Sequence, residues 1–241
     1  MNNQRVRCYK FMKKKYVSGF LSGKVRIGTM KQFREMEEAE WIADKGEGTG
    51  TNRMGPKDFS SMADFERSNF VRRINQTGAM RIDEGAAKGL KMDGFHIEYK
   101  PVESHILCVS LPPFHSAACA MCYDAPEEYR YDACVEILDL EEYIRCLLNT
   151  GVIGALKFTD VFADEVSFSP VKYISRSANL DFEEPVRNLT FLKDPKFKPQ
   201  QEGRLEFKYK SKPATKLGPF SANFSVPRNL LRIVDVELSG L

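Results

Sequence analysis

The chain has 241 residues, 42% hydrophobic and 29% charged, with a formal net charge of +3. That length supports one large domain with a real core, or just holds two small ones. The mild charge neither demands nor rules out a polyanionic partner, and no run is long and apolar enough to read as a membrane span. The opening MNNQRVRCYKFMKKKY lacks the apolar core of a secretion signal. Six cysteines (Cys8, Cys108, Cys119, Cys122, Cys134 and Cys146) are too scattered for a secreted disulfide framework. The expectation is a cytoplasmic protein with reduced thiols and no membrane association.

In chain order, RVRCYKF (5–11) alternates as a first strand, with Val6, Cys8 and Lys10 on one face and Arg7, Tyr9 and Phe11 on the other. KYVSGFLSGK follows as a short amphipathic helix stopped at Gly23, then KVRIGT as a second strand. Residues 30–43 read as an acidic-faced helix. From about 44 to 100 the pattern loosens, and half of the 16 glycines fall between Gly46 and Gly94. The loop DKGEGTGTN is expected to be exposed and flexible, DFERSNFVRRI to carry a helix, and GAMRIDEG a short strand and turn.

Order returns with SHILCVSL (104–111), an apolar strand of the doubly buried kind. A small-residue helix (FHSAACAMCYDA), a strand (DACVEIL), a helix (LEEYIRCLL), a strand (GALKF) and a bulged strand or strand pair (VSFSPVKYIS) follow. GRLEFKYK and NLLRIVDVEL close the chain as strands. This is an α+β pattern centred on mostly antiparallel sheet, read as one domain spanning 1–241 with an inserted excursion.

Four constellations carry possible chemistry. His115, Cys119, Cys122 and Cys134 have half of a zinc-site spacing, but Cys134 lies in an apolar strand, and reduced cysteines often pack as small hydrophobes. DKGEGTGTN has glycines and hydroxyls that suit phosphate, but lacks the P-loop pattern and carries Asp44 and Glu47. MKKKY and FKYKSKPATK interleave lysine with aromatics, as nucleic-acid surfaces and protected strand edges both do. In KPQQEGRLEF, alternation puts Gln200, Glu202 and Arg204 on one face, with Gln201, Gly203 and Leu205 on the other. Alone, that face reads as a surface salt bridge worth about 0–1 kcal/mol.

The order of RVRCYKF, FLSGKVRIGT, ILCVSL with Ser110, and QQE with Gln200 and Glu202 resembles the ADP-ribosyltransferase fold. It also resembles a set of uncharacterised bacterial and phage domains with a Tyr-Lys-Tyr start, a Cys-Phe-Ser strand and a late Glu-x-Glu-Tyr-Arg. CYKF, CVS and QQEGR stand in matching order, with Val109, Gln200 and Gly203 departing from the pattern. The resemblance implies a split antiparallel sheet with flanking helices, NAD as substrate, and a bacterial or phage toxin or defence-type effector.

It further implies Glu202 as the carboxylate that steadies an oxocarbenium-like state, and Gln200 as the residue orienting the acceptor. Arg7, Tyr9, Lys10, Ser110 and Arg204 would bind the cofactor, with the first-strand register left open. Arg204 would alternatively pair with Glu202, and Arg34 with the Asp44/Glu47 loop would close over the cofactor or select the acceptor. The acceptor is a protein or a nucleic acid, a regulating antitoxin is a further expected partner, and no metal is implied. Two other functions fit the residues: a non-catalytic nucleic-acid-binding module, and a zinc- or redox-linked cysteine protein.

Overall fold

The computed structural model describes residues 5–35, 44, 46–100, 103–211 and 217–236. The C-terminal part of the expected acidic helix, most of SKPATK and the last residues of the chain lie outside these. The elements begin with β1 (Cys8–Met12), a 3-10 turn at Lys14–Tyr16, α1 (Val17–Leu21), β2 (Lys24–Thr29) and α2 (Met30–Glu35). Next come β3 (Gly50–Met54), α3 (Asp64–Gln76), β4 (Phe95–Tyr99), β5 (His105–Ser110), α4 (Phe114–Ala118) and β6 (Ala133–Ile137). Then follow α5 (Leu140–Thr150), α6 (Phe158–Val161), β7 (Phe162–Pro170), β8 (Ser177–Asn179), β9 (Glu202–Tyr209), β10 (Phe220–Asn223) and β11 (Leu231–Val234). The result is an α+β protein built on mostly antiparallel sheet. Among the described residues, no helix is long and apolar enough to cross a membrane.

The main sheet is organised around β5. Along one edge β5 pairs continuously with β9, from Glu202 opposite Ser110 to Phe207 opposite His105, and β7 lies outside β9. The other edge is divided. Its C-terminal end meets β1 at the single pair Tyr9–Ser110, while its N-terminal end meets β2 at Ile106–Gly28 and His105–Thr29. From there β1 leads to β6 and β11, and β2 leads to β10. The sheet therefore forks at β5, leaving a gap between β1 and β2.

The apolar run in β5 follows from its central position: both of its faces are covered. Leu107 and Val109 join Leu205 and Phe207 of β9, Cys8 and Met12 of β1, and Val25 and Ile27 of β2 in the main core. α5 closes that core with Leu140, Tyr143 and Leu147 at helical spacing, and its N-cap Asp139 accepts from the Glu142 N–H at 3.1 Å. Gly23, at φ 88°, ends α1 where a Cβ would stand 1.8 Å from the Phe224 carbonyl oxygen, so only glycine fits.

The excursion differs from its sequence expectation. Residues 50–99 combine with 177–192 into a second core containing Met54, Phe59, Phe70, Ile74, Leu180 and Leu189. β3 sits there between β8, which runs parallel to it, and β4, which runs antiparallel. Hydrophobic pattern alone did not announce β3 and β4, because β3 pairs on one side with β4 over forty residues later and on the other with β8 over a hundred positions away. No strand forms at 78–85, where a strand and turn were expected. GALKF yields only a two-residue ladder at Leu156–Lys157.

Leu205 is fully buried in the main core, whereas Phe182 is 84% exposed. Leu205→Ala should cost about 2–5 kcal/mol in urea unfolding, and Phe182→Ser within about 0.5 kcal/mol.

Candidate functional site

A cleft of about 650 Å³ opens at the fork between β1 and β2. That is the size range of small-molecule sites. Its floor is set by register. Tyr9 on β1, Ser110 on β5 and Glu202 on β9 are direct neighbours across three adjacent strands, so their side chains share one face. Cys108 and Arg204 form the next pair on that same face.

The first-strand register resolves in favour of two residues. Tyr9 shares the floor with Ser110, while Lys10, half-buried, reaches into the gap and donates from Nζ to the Cys108 carbonyl at 2.7 Å. Burial pulls the Lys10 pKa below its ordinary value, opposed by nearby acidic groups including Glu202. Arg7 stands ahead of β1, exposed, and does not line the cleft.

Gln200, Glu202 and Arg204 do converge, but not as three positions of one strand. Gln200 ends a 3-10 turn (Pro195–Gln200), Gln201 adopts a left-handed conformation at φ 49°, and the strand starts at Glu202. The turn is tied down by hydrogen bonds from Leu111 N–H to the Gln201 carbonyl at 2.6 Å, and from Glu202 N–H to the Tyr173 hydroxyl at 2.6 Å. What gathers the side chains is Lys193, which the sequence reading missed. Its Nζ donates to Gln200 Oε1 at 2.9 Å and to Glu202 Oε2 at 2.8 Å.

Nor is this face a wet one. Glu202 is 7% exposed, Arg204 1% and Lys193 4%. Arg204 donates from Nε to Glu202 Oε1 at 2.6 Å, from Nη2 to Glu47 Oε1 at 2.5 Å, and from Nη1 to the Thr190 carbonyl. Its hydrogen bonds are thus directed into the protein, beneath Glu202, as in the pairing alternative.

Burial alone would raise the Glu202 pKa, but Arg204 and Lys193 outweigh it and hold the carboxyl well below its ordinary value. For Glu47, burial wins over Arg204 and pushes the carboxyl up. Of the two, Glu202 is the carboxyl whose neighbours favour the ionised form most strongly. Each of its oxygens has one protein donor and retains a second acceptor direction for a ligand hydroxyl.

The glycine-rich loop is also corrected: its described residues are buried or half-buried, not exposed. Asp44 is 5% exposed and Glu47 1%. Asp44 pairs with Arg176 and accepts from Gly46 N–H at 3.0 Å, while Arg34 Nη1 donates to the Glu47 carbonyl at 3.0 Å. Buried carboxylates with dedicated cations act as anchors here.

Gly203 marks a departure from the resembled pattern that has a steric cause. A Cβ there would lie 3.0 Å from Phe168 Cε2 and 3.2 Å from Leu111 Cγ, so a tyrosine has no room. The cysteine constellation does not assemble around a metal. Cys119 Sγ and His115 Nε2 are 3.8 Å apart, but Cys122 and Cys134 pack with Phe11, Ala117 and Ala118. Burial raises those two thiols to about 11 and about 12, so they are protonated at neutral pH. Among the described residues, no group of three His, Cys, Asp or Glu side chains is arranged to hold a metal ion.

Arg204→Met leaves two buried carboxylates without their shared cation and should lower stability to urea at pH 7 by about 3–5 kcal/mol. A depressed carboxyl pKa stabilises above the unfolded value and loses that stabilisation as pH falls below it. The deficit of the variant should therefore shrink once pH drops below 4.5, the ordinary value for Glu202. Comparison with family models, with curated proteins and with solved structures finds no match.

Proposed function

We propose that the protein is an NAD-dependent mono-ADP-ribosyltransferase, acting as a bacterial or phage toxin or defence-type effector on a protein or nucleic-acid acceptor. The observation that carries this reading is the row Tyr9–Ser110–Glu202 across the floor of a cleft at a sheet fork. The reading also draws on the motif order of the sequence, in which the same three strands bear the residues of interest.

The residues suit the chemistry. When the bond between ribose C1′ and nicotinamide breaks, the bonding pair leaves with nicotinamide and the positive charge passes to the ribose. A buried carboxylate kept ionised opposes that charge strongly, and Glu202 is such a group. Lys193 and Arg204 position it from opposite oxygens, and Gln200, held by Lys193, flanks the path of the incoming nucleophile. The acceptor's proton is released to water as the new bond to C1′ forms. Lys10, with two donors left beyond the Cys108 carbonyl, suits the diphosphate, and Tyr9 and Ser110 suit the ribose.

A preorganised charge of this kind is worth about 10²–10³ in rate. Glu202→Gln should therefore lower NAD cleavage by about that factor. Its fold should persist, because Arg204 keeps Glu47 and Lys193 keeps Gln200. Assay of nicotinamide release, with circular dichroism as the folding control, checks this. Undiminished turnover by the variant, or none by the wild-type chain across protein and nucleic-acid acceptors, refutes the assignment.

A further inference from the structure

We infer that the mouth of the cleft binds single-stranded nucleic acid. Its role as the acceptor rests on the transferase reading above, while the binding itself does not. The starting point is a charge imbalance. The cleft is lined by seven lysine and arginine side chains and two carboxylates, a surplus of five, although the entire chain carries only +3. The rest of the protein is therefore net negative, and a polyanion is steered toward this opening.

Both carboxylates are already answered from within, Glu202 by Lys193 and Arg204, and Glu47 by Arg204. With Lys10 turned to the Cys108 carbonyl, four cations remain: Lys13, Lys15, Lys24 and Arg26. None of the four makes an ion pair among the described residues. They stand on both banks of the fork, two just after β1 and two on β2. Lys24 and Arg26 are two residues apart on one face, about 7 Å along the strand, so they can meet successive phosphates of an extended chain.

Directly after Lys15 comes Tyr16, also lining the cleft and 59% exposed, with the Lys15 ammonium 5.1 Å from its ring centre. An acidic protein would satisfy the cations but has no particular use for an open aromatic face. A nucleobase stacks on one, and a cationic groove with an aromatic platform is how single strands are held without sequence preference. A dinucleotide's pair of phosphates answers about two cations, so NAD bound through Lys10 leaves this set unspent.

The test uses the full chain without NAD and measures fluorescence anisotropy of labelled single-stranded RNA and DNA of about 12 nucleotides. Affinity should fall steeply with salt. Each double variant, Lys13→Glu/Lys15→Glu and Lys24→Glu/Arg26→Glu, should weaken it by at least about tenfold and flatten the salt slope. Tyr16→Ala should weaken it by about tenfold while leaving the slope unchanged. Lys15, Tyr16, Lys24 and Arg26 are exposed and Lys13 is half-buried, and thermal melts verify the folding of the variants.

Salt-insensitive or absent binding overturns the inference, as do rim variants that bind like the wild type. Competition by poly-glutamate as strong as by oligonucleotide also overturns it, and assigns the surface to an acidic polypeptide. With labelled NAD added, label on the oligonucleotide supports the acceptor role. Label on protein alone, with oligonucleotide binding intact, removes that role. Absence of any NAD cleavage, with binding intact, overturns the transferase reading and leaves the nucleic-acid site standing.

Discussion

A guanidinium at 1% exposure has lost its water and needs its charge and hydrogen bonds answered from inside the protein. Arg204 obtains this from two carboxylates of very different origin. Glu202 is two residues away on its own strand, and Glu47 is 157 residues away in the glycine-rich loop. One side chain thereby ties the main sheet to the segment that leads into the second core. Lys193 extends the arrangement to Gln200, so two cations and two carboxylates form a locally neutral cluster beneath the cleft. Removing Arg204 takes from both carboxylates the cation they share, which is why this side chain constrains both the fold and the geometry of the site.

The second organising feature is the fork at β5. A strand whose edge is divided between two partners cannot keep both in one plane, so β1 and β2 part and a cleft opens where they do. Glu202 reaches that cleft because β9 runs along the opposite, unbroken edge in register with Ser110. The floor of the cleft is thus carried on buried strands, where side-chain positions are fixed by backbone pairing. The adaptable, charged residues sit on the rim.

What the sequence made legible follows the same division. The apolar run of β5, the alternation of β9 and the helical spacing of Leu140, Tyr143 and Leu147 are local patterns, and each took the expected form. The shared face of Glu202 and Arg204 was visible too, though its surroundings were not. Burial of a charged strand face depends on what packs over it, and here that is Glu47, Thr190 and Lys193 from distant parts of the chain. Lys193 lies in an ordinary-looking LKDPK stretch, and nothing local distinguishes it from a surface lysine. The glycine-rich loop misled for a related reason: its composition reports backbone freedom, while its two carboxylates report anchoring. The second core was illegible because β3 pairs with β8 across about 125 residues of chain, and with β4 across more than forty.

The fork has one more effect, seen in the peptide groups themselves. Where β1 and β2 part, the backbone of β5 lacks a neighbouring strand on that side, and a buried carbonyl there still requires a donor. At Cys108 the donor is the Lys10 ammonium. The side chain thus stands in for a missing rung of the sheet. Any anion that draws Lys10 away must leave that rung to be filled by water or by the ligand's own hydroxyl. Occupation of the cleft and completion of the sheet edge thus draw on the same ammonium.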